Sequence, residues 1–142
     1  MRTSCAMMVP LIMMLLFVGS TAAERLNETS AYLTCITTPA SCTRMSMRNI
    51  SLAGSLPSEL GTLTRLTSIF IPFNQLTGTL PTELGALTRL TFLDIGANQL
   101  IGTLPSELVA LQSLTALWLG KNSLTGTLLS ELGALTSLRS MR

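Results

Sequence analysis

From about Leu52 to the C-terminus the chain repeats itself every 24 residues. Gly54, Gly78, Gly102 and Gly126 share one register, Asn74, Asn98 and Asn122 a second, and Glu59, Glu83, Glu107 and Glu131 a third. A leucine-dominated period of about 20–29 residues specifies a solenoid, because each unit can bury its apolar side only by stacking on the next. Such an architecture favours recognition by an extended surface over chemistry in a closed pocket. The 142 residues contain no histidine, and Asp94 is the only aspartate, so histidine-based triads and histidine metal sites are excluded. The repeated glutamates stand like rungs rather than converging, and we expect neither an enzyme nor a bound cofactor or metal.

One unit shows how the pattern works. Leu87, Leu90, Leu93 and Ile95 are followed by Asn98, Leu100, Gly102, Leu104 and Pro105. The alternation at Leu93-Asp94-Ile95 has a period of two, which predicts a short strand with its aliphatic side chains inward. Successive strands then align in parallel at about 4.8 Å. An inward asparagine in the turn carries both donors and acceptors and can satisfy backbone groups that the loop leaves unpaired. The register glycines permit a backbone conformation or a close approach that a Cβ would block. Pro57, Pro81 and Pro105 suit the start of a helical turn, and the glutamate two residues later suits the positive end of its dipole.

The run N-Q-L-T-G-T-L-P-T-E-L-G-A-L-T-R-L at residues 74–90 resembles the plant-type leucine-rich repeat, with its L-x-G-x-[IL]-P segment. The resemblance extends roughly from Cys35 to Arg142. It implies an α/β solenoid, a right-handed superhelix of about four repeats with a short-stranded parallel sheet on its concave face. It also implies extracellular recognition, as in receptor ectodomains, receptor-like proteins and secreted inhibitors of polygalacturonase. Cys35 and Cys42 match the spacing of the cysteine pair in that family's N-terminal cap, although Ile36 to Ser41 lacks the family's tryptophan and Gly-Val.

The N-terminus supports export. Arg2, the apolar run Ala6 to Val18 and the small residues Ser20 to Ala23 have the layout of a secretory signal peptide. The rival, a membrane anchor, needs about 20 apolar residues and finds only a shorter run interrupted by Pro10. We therefore expect a signal peptide at 1–23, an N-terminal cap and degenerate first strand at 24–47, and repeats at 48–142, the last incomplete. The product is expected to be secreted or extracellular, with no membrane span. In an oxidising compartment Cys35 and Cys42 read as one small disulfide loop, the alternative being two buried free thiols. Asn27 and Asn49 open the triplets Asn-Glu-Thr and Asn-Ile-Ser, which fit the N-glycan acceptor pattern. Both ends depart from the repeat: Ile50 stands where the asparagine belongs, and Met141 takes an inward strand position just before the final residue. Either the sequence is a fragment of a longer protein, or its uncapped C-terminal strand edge is expected to dock onto something else.

Function should lie where repeats are free to differ, at the outward strand positions. Register places there Arg44, Ser46, Arg48 and Asn49; Ser68, Phe70, Pro72 and Phe73; Phe92, Asp94, Gly96 and Ala97; and Ala116, Trp118, Gly120 and Lys121. The three phenylalanines outside the leader and the only tryptophan all fall in this set. Exposed aromatics gathered on one surface mark a binding patch. Phe70, Asp94 and Trp118 share a column, Phe92 and Phe73 flank it, and Lys121 adds a cation at the rim. An aromatic platform around one carboxylate suits a protein, peptide or cell-wall saccharide ligand. The alternative is that these rings only stack on each other and shield the sheet, as in a structural surface or matrix protein. A further alternative is an ice-binding face built from a column of Ser55, Thr79, Thr103 and Thr127. With cations scattered singly, no basic stripe suggests nucleic acid.

Overall fold

The two-residue alternation produces strands at the expected register. The computed structural model describes residue 38, residues 41–126 and residues 130–142, the side chains of residues 130 and 131 excepted. Strands β1 (Arg44–Ser46), β3 (Ser68–Phe70), β5 (Phe92–Asp94), β7 (Ala116–Trp118) and β9 (Ser140–Met141) form one parallel sheet in chain order. Cα partners are offset by one repeat, as in Ile69↔Leu93 and Leu93↔Leu117. Between these strands lie shorter ones: β2 (Ala53–Ser55) pairs with β4 (Gln75–Thr77), and β6 (Ile101–Gly102) with β8 (Ser123–Leu124). Each coil then runs through a five-residue 3-10 segment: Ser58–Thr62, Thr82–Ala86, Ser106–Ala110 and Ser130–Ala134. The helical part of the expected α/β solenoid is thus entirely 3-10 among the described residues.

The core is aliphatic and continuous from coil to coil. Leu66, Leu90, Leu93, Leu114 and Leu117 are fully buried, and Met45 and Cys42 take leucine-like places in the first coil. Burying one such leucine contributes about 1.5–3 kcal/mol. Strands contact strands and 3-10 segments contact 3-10 segments, so the sheet and the helical side lie on opposite faces of this core. The sheet lines the concave face.

Two polar ladders tie the coils together. Asn98 Oδ1 accepts from Leu76 N–H at 3.1 Å, and its Nδ2 donates to the Ile71, Ile95 and Gly96 carbonyls. Asn74 and Asn122 repeat this pattern one coil to either side. Ile50, lacking such a side chain, instead donates its own N–H to Asn74 Oδ1 at 3.1 Å. The second ladder was not anticipated from the sequence. The hydroxyls of Thr67, Thr91 and Thr115 donate to the carbonyls of Thr43, Thr67 and Thr91 at 2.8–2.9 Å, stitching the entries to β3, β5 and β7.

Glycine performs two different tasks. Gly102 adopts φ +80°, and a Cβ there would lie 2.8 Å from Thr79 Cγ2. Gly85, in a 3-10 segment, allows close approach instead, since a Cβ would lie 2.5 Å from the Glu107 carbonyl oxygen. Pro57, Pro81 and Pro105 stand one residue before the first three 3-10 segments with extended backbone, rather than inside their first turns.

The expected leader at 1–23, most of the expected cap at 24–47, Cys35 and Asn27 lie outside the described residues. Cys42 is disulfide-bonded. Asn49 is exposed at the end of the first coil's strand. Among the described residues no helix is long and apolar enough to cross a membrane.

Candidate functional site

The shared register of β3, β5 and β7 brings the predicted aromatics together. Phe70 pairs with Asp94, and Asp94 with Trp118, in one column. Phe92 stands in the adjacent column and bridges the two rings diagonally. Its centroid is 6.1 Å from Phe70 at a 38° tilt and 5.1 Å from Trp118 in an edge-on arrangement at 74°. Each such contact contributes about 0.5–1.5 kcal/mol beyond area burial. All three rings are half-buried, so they stack on one another and still present surface to solvent.

Asp94 differs from the expectation of a carboxylate offered to a ligand. It is only 6% exposed, between its aromatic neighbours, and Oδ1 accepts from the Gly96 N–H at 2.9 Å. Glycine at 96 makes room for this fold-back, since a Cβ would stand 3.2 Å from that oxygen and 3.1 Å from the Gly120 carbonyl. The geometry makes Asp94 a brace for the turn after β5.

Phe73 and Lys121 lie past the strand ends, in the turns that precede the asparagine ladder. Both adopt left-handed backbone conformations, with φ of 59° and 57°, as does Ala97 at 52°. A bulky residue in this region is uncommon and is held there by its surroundings. Phe73 is 47% exposed, with the Arg48 guanidinium 5.1 Å from its ring centroid. Lys121 is exposed at the C-terminal end, where it lines a recess of about 370 Å³ with Leu104, Leu119, Met141 and Arg142. Arg142, which shares this recess, also lies over Trp118, so Lys121 stands at the rim of that end of the strip.

Three features were not singled out from the sequence. A groove of about 470 Å³ opens beside the strip, lined by Arg44, Ser46, Ser68, Phe70 and Phe92 together with Met45, Thr67 and Thr91. Arg142 lies over Trp118 at 4.9 Å from the ring centroid, and Trp118 Nε1–H donates to Ser140 Oγ at 3.1 Å. The signal was available, since Arg142 follows Trp118 by one 24-residue period.

On the neighbouring face Ser55, Thr79 and Thr103 of the alternative hydroxyl column do not stand directly opposite one another, and Thr127 lies outside the described residues. The short strands pair with an offset of 22 residues, so Ser55 opposes Thr77 rather than Thr79, and Ile101 opposes Ser123. Ser55 packs against Gly78 instead. The result is oblique rows of mixed side chains, with Ile101 52% exposed among them. Among the described residues no group of three histidines, cysteines or carboxylates could hold a metal ion.

Comparison with known proteins agrees with this geometry. The Leucine Rich Repeat family profile matches residues 89–111 and 113–135. A search of curated protein sequences finds no significant match. Among solved structures, the leucine-rich-repeat ectodomain of the receptor kinase SOBIR1 from Arabidopsis thaliana is 31% identical with a TM-score of 0.65, covering 68% of this chain and 52% of its own. The Arabidopsis HAESA ectodomain in complex with an IDA peptide hormone is 28% identical with a TM-score of 0.70, covering 75% of this chain and 18% of its own. A plant ice-binding protein is 31% identical with a TM-score of 0.65, covering 70% of this chain and 34% of its own. The chain thus spans about half the length of the SOBIR1 ectodomain and less of the other two. Its repeats match the leucine-rich-repeat family, and its solenoid resembles the ectodomains of plant leucine-rich-repeat receptors.

Proposed function

We propose that the chain is an extracellular, non-catalytic recognition module that binds its ligand on the concave sheet. The observation that carries this reading is the half-exposed strip Phe70, Phe92 and Trp118 beside the groove at Arg44 and Ser68. Large rings held in place by their neighbours offer contact area at little further cost in conformational entropy. The HAESA ectodomain holds a peptide hormone, which supports a peptide or protein ligand here. In this reading residues 1–23 direct export, Cys42 bonds Cys35 in the cap, and Asn49 is available for glycosylation. The module acts as part of a receptor ectodomain or as a secreted inhibitor.

The test uses peptides selected from a displayed random dodecapeptide library on the intact protein. Binding of the selected peptides is then measured for Phe92→Ala, Trp118→Ala and the neighbouring-face variant Ile101→Ser. Loss in the first two with retention in the third supports the reading. Equal binding by all three overturns it.

A second reading is ice binding through the face that carries Thr77, Thr79, Ile101, Thr103 and Thr125, all exposed. It is favoured by the similarity to a plant ice-binding protein and opposed by the oblique strand offset. Thermal hysteresis of the pure protein decides it, and absence of hysteresis removes the reading.

A further inference from the structure

Charge is sorted between the two faces of the solenoid. Glu59, Glu83 and Glu107 all stand in the first turn of a 3-10 segment, on the side away from the sheet. The cations lie elsewhere. Arg44 and Arg142 are on or directly after sheet strands, Arg48 and Lys121 follow strand ends, and Arg139 precedes β9. Arg65 and Arg89 occupy the turns that lead into β3 and β5. The sheet's single described carboxylate, Asp94, is buried and bonded to its own turn. Arg48, Lys121 and Arg142 therefore place positive charge around the apolar strip, and no exposed carboxylate side chain stands among the sheet's described residues.

We propose that this face takes an extended acidic peptide. Its apolar side chains pack on Phe70, Phe92 and Trp118, and its carboxylates point toward Arg48, Lys121 and Arg142. The inference rests on the concave-face reading above and deepens it by naming the ligand's chemistry. Side chains on one face of an extended peptide recur at about 6.6 Å, close to the ring spacings along the strip. The rings are tilted and edge-on to each other, and Trp118 is covered on one side by Arg142. That leaves notches for side chains rather than the flat, open aromatic face on which a sugar ring stacks. The groove at Arg44, Ser68, Phe70 and Phe92 is of a size to admit one or two side chains.

The experiment extends the selection described above. Peptides recovered on the full chain are sequenced, and binding is measured in salt of about 0.15 M and about 1 M, where screening lengths are about 8 Å and 3 Å. Wild type is compared with the triple variant Arg48→Gln, Lys121→Gln, Arg142→Gln and with Glu59→Gln, Glu83→Gln, Glu107→Gln, each checked for native circular dichroism. The proposal expects recovered peptides rich in Asp and Glu, and binding about tenfold or more weaker in the cation-depleted variant and in high salt. It expects the glutamate-depleted variant to bind at least as well as wild type. Uncharged or basic peptides that lose binding on Phe92→Ala but not in the cation-depleted variant overturn the acidic assignment and leave the concave site standing. Peptides indifferent to Phe92→Ala overturn both. An oligogalacturonide that binds more tightly than any recovered peptide, with the same loss in the variants, overturns the peptide assignment in favour of an acidic saccharide.

Discussion

Replacing the ladder asparagines one at a time by alanine should produce a graded loss of stability, Asn74 costing most and Asn122 least. Asn74 makes five hydrogen bonds: it accepts from the Ile50 and Leu52 N–H groups and donates to the Met47, Ile71 and Pro72 carbonyls. Asn98 makes four, and Asn122 three. The count overstates the carbonyl side, because several carbonyls keep a second donor. Ile71 accepts from both Asn74 and Asn98, Ile95 from both Asn98 and Asn122, and Gly96 also from the Phe73 N–H. What decides the cost is the number of buried N–H groups left without an acceptor, at about 1–3 kcal/mol each. Asn74→Ala strands two, predicting a loss of about 3–5 kcal/mol. Asn98→Ala strands the Leu76 N–H alone, predicting about 1–3 kcal/mol. Asn122→Ala strands the Leu100 N–H, but at a half-buried end of the ladder that water can reach, predicting about 1–2 kcal/mol. Urea unfolding followed by circular dichroism measures the series, read as midpoint shifts at constant slope. If Asn122→Ala were as costly as Asn74→Ala, stranded donors would not be the reason the ladder exists.

The glycines and the left-handed turns give independent predictions. Gly85→Ala should destabilise by about 1–3 kcal/mol, because its Cβ would meet the next coil's Glu107 backbone, whereas Gly133→Ala, with nothing within 4 Å, should be neutral or slightly stabilising by thermal melts. Ala97 holds a left-handed conformation that costs about 1–2 kcal/mol for a residue with a Cβ, so Ala97→Gly should leave stability unchanged or raise it, while Ala97→Val lowers it. Leu93→Ala, at a fully buried sheet position, should cost about 2–5 kcal/mol in the same urea assay.

Much of this molecule was legible because its repeat reports side-chain direction by register. Leu93 and Ile95 read as inward and are buried; Asn98 read as a turn-satisfying group and is bonded on all sides; Gly102 read as a special backbone position and has positive φ. The aromatic column was legible for the same reason. Other features were not, because they depend on how coils lie against each other rather than on which residue faces inward. Asp94 read as a free carboxylate, but burial by Phe92 and Trp118 and the fold-back onto Gly96 are three-dimensional consequences of its neighbours. Thr79 and Thr103 share a register, yet the 22-residue offset of the short strands slants their face, so they do not stand directly opposite one another. The left-handed turns at Phe73, Ala97 and Lys121 are shared by Asn49 in the first coil, where Ile50 follows, so they belong to the turn geometry of the coil rather than to any one side chain. The threonine ladder could have been found from the spacing of Thr43, Thr67, Thr91 and Thr115.

Trp118 is the chain's only tryptophan and stands within the aromatic strip, so its fluorescence reports on that surface alone. Acrylamide quenching, measured with and without a saturating selected peptide, tests the concave face directly. Occupation of the strip predicts a marked fall in the quenching constant on binding, abolished in Phe92→Ala. Tight binding with unchanged quenching would place the ligand elsewhere and contradict the account.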